Sequence, residues 1–192
     1  VSQRCHLRFD TLEDRSVPAN FGLPWADPRH LTLSFVPDQT RIASHESSLF
    51  QALDSQFPRA VWQRELARAF QTWAVEANLD FGVRPDGGQA FGTAGPMQGD
   101  ARFGDIRIGA HAMTPEALSV SVPGDVFFAG TWAGDVLLNS AANFTAAPAD
   151  LYSILLHEVG HVLGLEHSSE PGSVMFTHAA QTRTGLAASD VQ

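Results

Sequence analysis

An α/β domain is predicted by three features of this sequence. Strand-like alternation at Leu31-Thr32-Leu33-Ser34-Phe35 is followed, after Pro58, by a long stretch with helical spacing. A second strand pattern lies at Gly104–Ala110. A third feature, an apolar helix around Ile154–Leu163, follows it.

Each element has its own local reason. Residues 1–20 are polar and charged without helical or strand periodicity and read as a tail; residues 21–192 read as one domain. Phe21 to Arg29 holds Pro24 and Pro28, an irregular lead-in. Leu31, Leu33 and Phe35 alternate with Thr32 and Ser34, a half-buried strand that ends at Pro37. Asp38 to Ser48 reads as a mobile polar stretch in which His45 is solvated. Pro58 suits the first turn of a helix, and Trp62, Leu66, Ala69, Phe70, Trp73 and Ala77 recur at three and four to give one apolar face. Leu79 to Arg84 is a strand, Asp86-Gly87-Gly88 a turn, and the Gly-rich run to Gly99 a loop without visible chemistry. In Gly104–Ala110, Ile106 and Ile108 alternate with Arg107. Extended segments are expected at Ser119–Val122 and Asp125–Ala129, split by Pro123-Gly124. Asp150 is placed to N-cap a helix apolar on nearly every side, hence buried.

The composition narrows the function classes. A chain of 192 residues, 44% apolar and 17% charged, can bury a core of its own. Its net charge of −9 argues against a nucleic-acid surface and against anionic lipid. No apolar run approaches the ~20 residues of a membrane span. Cys5 is the only cysteine, so no intrachain disulfide forms.

The chemistry concentrates in Leu155-Leu156-His157-Glu158-Val159-Gly160-His161-Val162-Leu163-Gly164-Leu165-Glu166-His167-Ser168. His157 and His161, four apart, share one helix face, and two neutral imidazoles so placed can grip one metal. Glu158 sits beside that metal without ligating it and is placed to take a proton from a water held there. Gly164 permits a positive φ that ends the helix and lets His167 swing back as third ligand. Three protein ligands leave one position of a tetrahedral zinc open, which marks a catalytic site. Chance supplies this pattern with a probability on the order of 10⁻⁴ or lower. Histidines merely hydrogen-bonded inside a buried helix would be a desolvation burden.

These residues resemble the metzincins, and Ser168 directly after the third histidine resembles the matrixin branch. Leu31–Phe35 with Pro37-Asp38, Ala69-Phe70-Gln71-Thr72-Trp73, Gly104–Ile108 and Met175 fit the same family. The resemblance implies a twisted, mostly parallel but mixed five-stranded sheet, with the Pro58–Asn78 helix and the zinc helix packed on one face. It implies a zinc endopeptidase, a monomer acting on a protein or peptide partner, with His157, His161 and His167 on the metal, Glu158 as general base and Met175 as the Met-turn beneath. Gly130-Thr131-Trp132-Ala133-Gly134-Asp135 resembles the family's calcium loop and the rim strand above the active site, implying calcium near Asp135. Leu12–Ala19 resembles a segment near the N-terminus of many secreted bacterial proteins, implying a secreted or cell-surface protein. Arg4-Cys5 only partly matches the inhibitory pro-segment and reads as an ordinary tail cysteine.

The sequence also departs from the family. Many matrixins hold a structural zinc, but here Asp125 and Leu137 stand where two of its histidines are expected. Met113 follows His111 where an aspartate is wanted. One zinc per chain is therefore expected. Phe176-Thr177-His178-Ala179 lacks the Pro and Tyr that usually wall the S1′ pocket, so its preference does not carry over, and His178 is expected at the surface. Two other readings compete: a non-catalytic, zinc-stabilised adhesion module, and a protease that cuts only its own chain. Intact Glu158 argues against the first.

Overall fold

A computed structural model describes residues 25–122, 130–146, 150–176 and 182–191. The expectations for the tail with Cys5, for the start of the lead-in, for Asp125 and its strand, and for Thr177, His178 and Ala179 lie outside the described residues.

In chain order the elements are β1 (Leu31–Phe35), β2 (Arg41–Ile42), β3 (His45–Glu46), α1 (Leu49–Asp54), α2 (Arg59–Ala77) and β4 (Phe81–Val83). They continue with β5 (Ile106–His111), β6 (Ser119–Ser121), β7 (Val136–Asn139) and α3 (Leu151–Val162). Five strands form one sheet in the order β4-β1-β5-β7-β6. The β1–β4, β1–β5 and β5–β7 pairs are parallel, and β6 runs antiparallel to β7. The mixed, mostly parallel α/β sheet is therefore the one expected.

Strand alternation divides the two faces. Leu31, Leu33, Ile106, Ile108, Ala110, Val136 and Leu138 join one large core with the apolar sides of α2 and α3. Trp62, Leu66, Ala69, Phe70, Trp73 and Ala74 are buried from α2. Ala77, expected on that face, is exposed instead, because the helix has passed its partners before its end at Asn78, which takes a left-handed φ of 54°. Two tryptophan N–H groups tie helices into place: Trp73 Nε1 donates to Leu156 O at 2.8 Å and Trp25 Nε1 to Val162 O at 3.1 Å.

Two further expectations need correction, and one residue has an unexpected setting. Asp38–Ser48 is folded rather than mobile: β2 and β3 form a hairpin, and the Asp38 carboxylate accepts from Phe50 N and Gln51 N at the start of α1, at 2.9 and 3.0 Å. Gly130–Trp132 is a short 3₁₀ turn leading into β7, and the rim strand at the sheet edge is β6. Arg107, polar in an alternating strand, does not face water. It is 1% exposed on the second face, bidentate to Asp86 at 2.9 and 2.8 Å, with its guanidinium 4.4 and 4.5 Å from the Phe91 and Phe103 ring centres. A buried guanidinium demands a partner, and the loop after Asp86 folds over the sheet to supply it.

Candidate metal centre

The site begins with α3. Asp150 caps it, its carboxylate accepting from Ser153 N at 2.8 Å, and Tyr152 to Leu156 bury its first turns against α2 and the sheet. The helix stops at Leu163, and Gly164 takes a φ of 94°, so that Gly164 N reaches His161 O and Leu165 N reaches Gly160 O, each at 2.9 Å. That turn sends His167 back over the helix, as the sequence pattern requires.

Two of the three rings are aimed from behind. His157 Nδ1 lies 2.7 Å from Val174 O, and His161 Nδ1 lies 2.8 Å from Leu165 O. A carbonyl accepts only, so both Nδ1 atoms carry the proton and both Nε2 lone pairs are free. Those lone pairs converge: His161 Nε2 is 3.1 Å from His157 Nε2 and 3.2 Å from His167 Nε2. Zinc–nitrogen bonds of about 2.0–2.1 Å in a tetrahedron set nitrogens about 3.3–3.4 Å apart, so the three atoms fit one zinc ion. Among the described residues these histidines are the one group of three metal-ligating side chains. Burial lowers the pKa of His161 and His167, favouring the neutral, ligating form of both.

Beneath the histidines the chain turns at Ser173-Val174-Met175. Met175 is 2% exposed, and a Cβ on Gly160 would collide with its Sδ and approach Trp73 Cζ2 to 3.2 Å. Glycine at 160 is what lets the methionine close against the helix. Ser168 N donates to Met175 O at 2.8 Å, tying the third histidine's segment to the same turn. Two residues not singled out in the sequence complete the support. The buried Asp190 carboxylate accepts from the Ser173 hydroxyl, from Val174 N at 3.2 Å and from Ala187 N at 2.7 Å, while Ser173 Oγ accepts from Met175 N at 2.9 Å. On the other side, Ser119 Oγ of β6 donates to Glu158 Oε1 at 2.6 Å. Neither contact has a local sequence signature, because its partners are 17 and 39 residues apart.

The other singled-out residues do not join this site. Asp135 is fully buried; its Oδ1 accepts from Arg107 N at 2.8 Å, and its Oδ2 has no hydrogen-bond partner among the described residues. Burial pushes its carboxyl well above the usual carboxylate range. Leu137 packs with Val36, Ile42 and Phe91 on the second face, with Met113 against them, and its cross-strand neighbour is Val120. His111 stacks on His45, ring centres 4.6 Å apart.

Residues 46–192 match the family described as Matrixin. Similar proteins include matrix metalloproteinase-21 of Homo sapiens, 35% identical over 66% of this chain, and metalloendoproteinase 2-MMP of Arabidopsis thaliana, 30% identical over 73%. Neutrophil collagenase of Homo sapiens is 33% identical over 67%. The matched stretches span only 21%, 37% and 26% of those three proteins.

Proposed function

The chain belongs to the matrixin family, and on that premise we propose that it is a zinc endopeptidase hydrolysing peptide bonds in extended protein segments. The observation that carries this reading is the convergence of the Nε2 atoms of three histidines beside a buried glutamate at the sheet's edge strand. His157, His161 and His167 would hold the zinc. When bound, that ion supplies Lewis acidity, polarising the scissile carbonyl and lowering the pKa of water towards ~7.

The chain's own residues do the rest. The carbonyls of Val174 and Leu165 hold two imidazoles in the ligating tautomer. Glu158, engaged at Oε1 by Ser119, keeps Oε2 for proton work: it takes the proton of the attacking water and delivers it to the leaving amine nitrogen. Substrate binds along β6. Leu118 O accepts from Asn139 N, and Val122 N donates to Asp135 O, so this alternate set of residues faces β7. The N–H and C=O groups of Ser119 and Ser121 then point the other way, where an extended peptide adds as a further strand. Those main-chain bonds are blind to sequence.

One zinc per chain belongs to the same reading, supported by the apolar surroundings of Leu137. Calcium at Asp135 rests on the buried Oδ2, which has no hydrogen-bond partner among the described residues and is one oxygen of the six to eight that calcium takes, with nearby backbone carbonyls as the proposed companions. Calcium raising the Tm of the wild type but not of Asp135→Asn supports it; equal responses refute it. Secretion or display at the cell surface completes the proposal, and no described helix is long and apolar enough to cross a membrane.

The test is incubation of the zinc-loaded chain with a diverse peptide pool, with and without chelator, read by mass spectrometry. Internal cleavages that chelator abolishes and zinc restores are expected. An untouched pool contradicts the proposal, and cleavage confined to this chain at a concentration-independent rate points to self-processing.

A further inference from the structure

We infer that Ser119 is a positioning residue: its hydroxyl, carried on the strand that receives substrate, holds the Glu158 carboxylate with Oε2 turned to the scissile bond. This rests on the protease reading above and goes beyond it by giving the edge strand a second task.

Three observations carry it. The Ser119 Oγ–Glu158 Oε1 distance of 2.6 Å is that of a short, well-formed hydrogen bond. Glu158 is buried at 7% exposure, and Ser119 is its hydrogen-bond partner among the described residues. A glutamate side chain has several rotatable bonds, so one fixed oxygen decides where the other points.

The third observation is that Ser119 is itself held in place. The buried Asn139 amide donates to Thr114 O at 3.1 Å and Ala117 O at 2.7 Å. Its Oδ1 accepts from Met113 N at 3.0 Å. This bracing fixes the segment that delivers Ser119 to β6. The same residue thus presents its backbone to the incoming peptide and its side chain to the base, so that the register of the one sets the aim of the other.

The experiment compares Ser119→Ala, Ser119→Thr and wild type. Infrared difference spectra of the zinc-free chains at neutral pH should show a shifted carboxylate band in Ser119→Ala, assigned to Glu158 by its absence from Glu158→Gln. The band should return in Ser119→Thr, which keeps the hydroxyl. With zinc loaded, Ser119→Ala should lose about tenfold in kcat with KM and zinc affinity unchanged, and Ser119→Thr should recover most of that loss. An unshifted band overturns the hydrogen bond without touching the protease reading, since it needs neither metal nor turnover. A shifted band with unchanged kcat, or a loss confined to KM, shows a strut between strand and helix and overturns the positioning role. Failure of the wild type to cleave any peptide while the band still shifts is the separate failure of the protease reading.

Discussion

Asp190→Ala is the perturbation that reaches furthest from its own position. In the native chain both carboxylate oxygens are occupied, by the Ser173 hydroxyl on one side and by the N–H groups of Val174 and Ala187 on the other. Alanine leaves the Ser173 O–H and the Val174 N–H as buried donors without acceptors. Hydrogen bonds to charged groups contribute about 1.5–3 kcal/mol each, and an orphaned buried donor costs about 1–3 kcal/mol, so a loss of about 3–5 kcal/mol is expected. That is survivable for a domain stable by about 5–15 kcal/mol.

The consequence for metal follows from the next contact. Val174 O aims His157, and Met175 O holds the segment of His167. Loosening that turn should weaken zinc binding about 10–100-fold, the usual effect of losing a group that orients a ligand. Urea unfolding in chelator gives the first number, and competition with a chromophoric chelator gives the second. A loss under about 1 kcal/mol with zinc affinity unchanged would refute the idea that Asp190 supports the metal site. Asp190→Asn keeps one acceptor oxygen and should fall between the two.

Other perturbations test other links. Gly160→Ala forces Met175 from its place and should cost about 1–3 kcal/mol, read by thermal unfolding, with a neutral result showing that the turn can yield. His161→Ala should lose zinc and activity together, because two imidazoles hold the ion poorly; full occupancy by metal analysis would overturn the ligand assignment. The pH dependence of stability should carry the mark of Asp100, whose carboxyl is lowered from 3.8 to about 2 by hydrogen bonds from the Arg102 side chain and backbone. A depressed carboxylate stabilises the fold above its unfolded value, and that contribution disappears as the pH falls from about 4 through about 2. The stability gap between wild type and Arg102→Ala should therefore narrow over that window in urea melts, and a constant gap would contradict the pairing.

Much of the site was readable because it is local. His157, Glu158 and His161 share one helix, Asp150 and Gly164 bound it by short-range rules, and all five stand where the pattern puts them. Leu31–Phe35 and the helix after Pro58 were legible for the same reason, each carrying core residues at a regular repeat, although Ser34 on the strand's other face is buried too rather than facing water. What escaped depends on partners distant in the chain. Arg107 alternates with isoleucines as a solvent-facing residue would, and only Asp86, 21 residues earlier, makes its burial tolerable. The hairpin and α1 escaped because two-residue strands and a six-residue helix are too short for a period to show. Ser119 and Asp190 are a small polar residue and an acid in sequence; in space they hold Glu158 and the Ser173–Met175 turn of the same centre.

The central claim is that one zinc on three histidines is put to use by Glu158. It is tested most directly by measuring zinc content and peptide cleavage on the same samples of wild type and Glu158→Ala. One zinc per chain is expected in both. Loss of the base should cost about 10²–10⁴-fold in rate or more. A Glu158→Ala chain that keeps its zinc and cleaves at the wild-type rate would contradict the account.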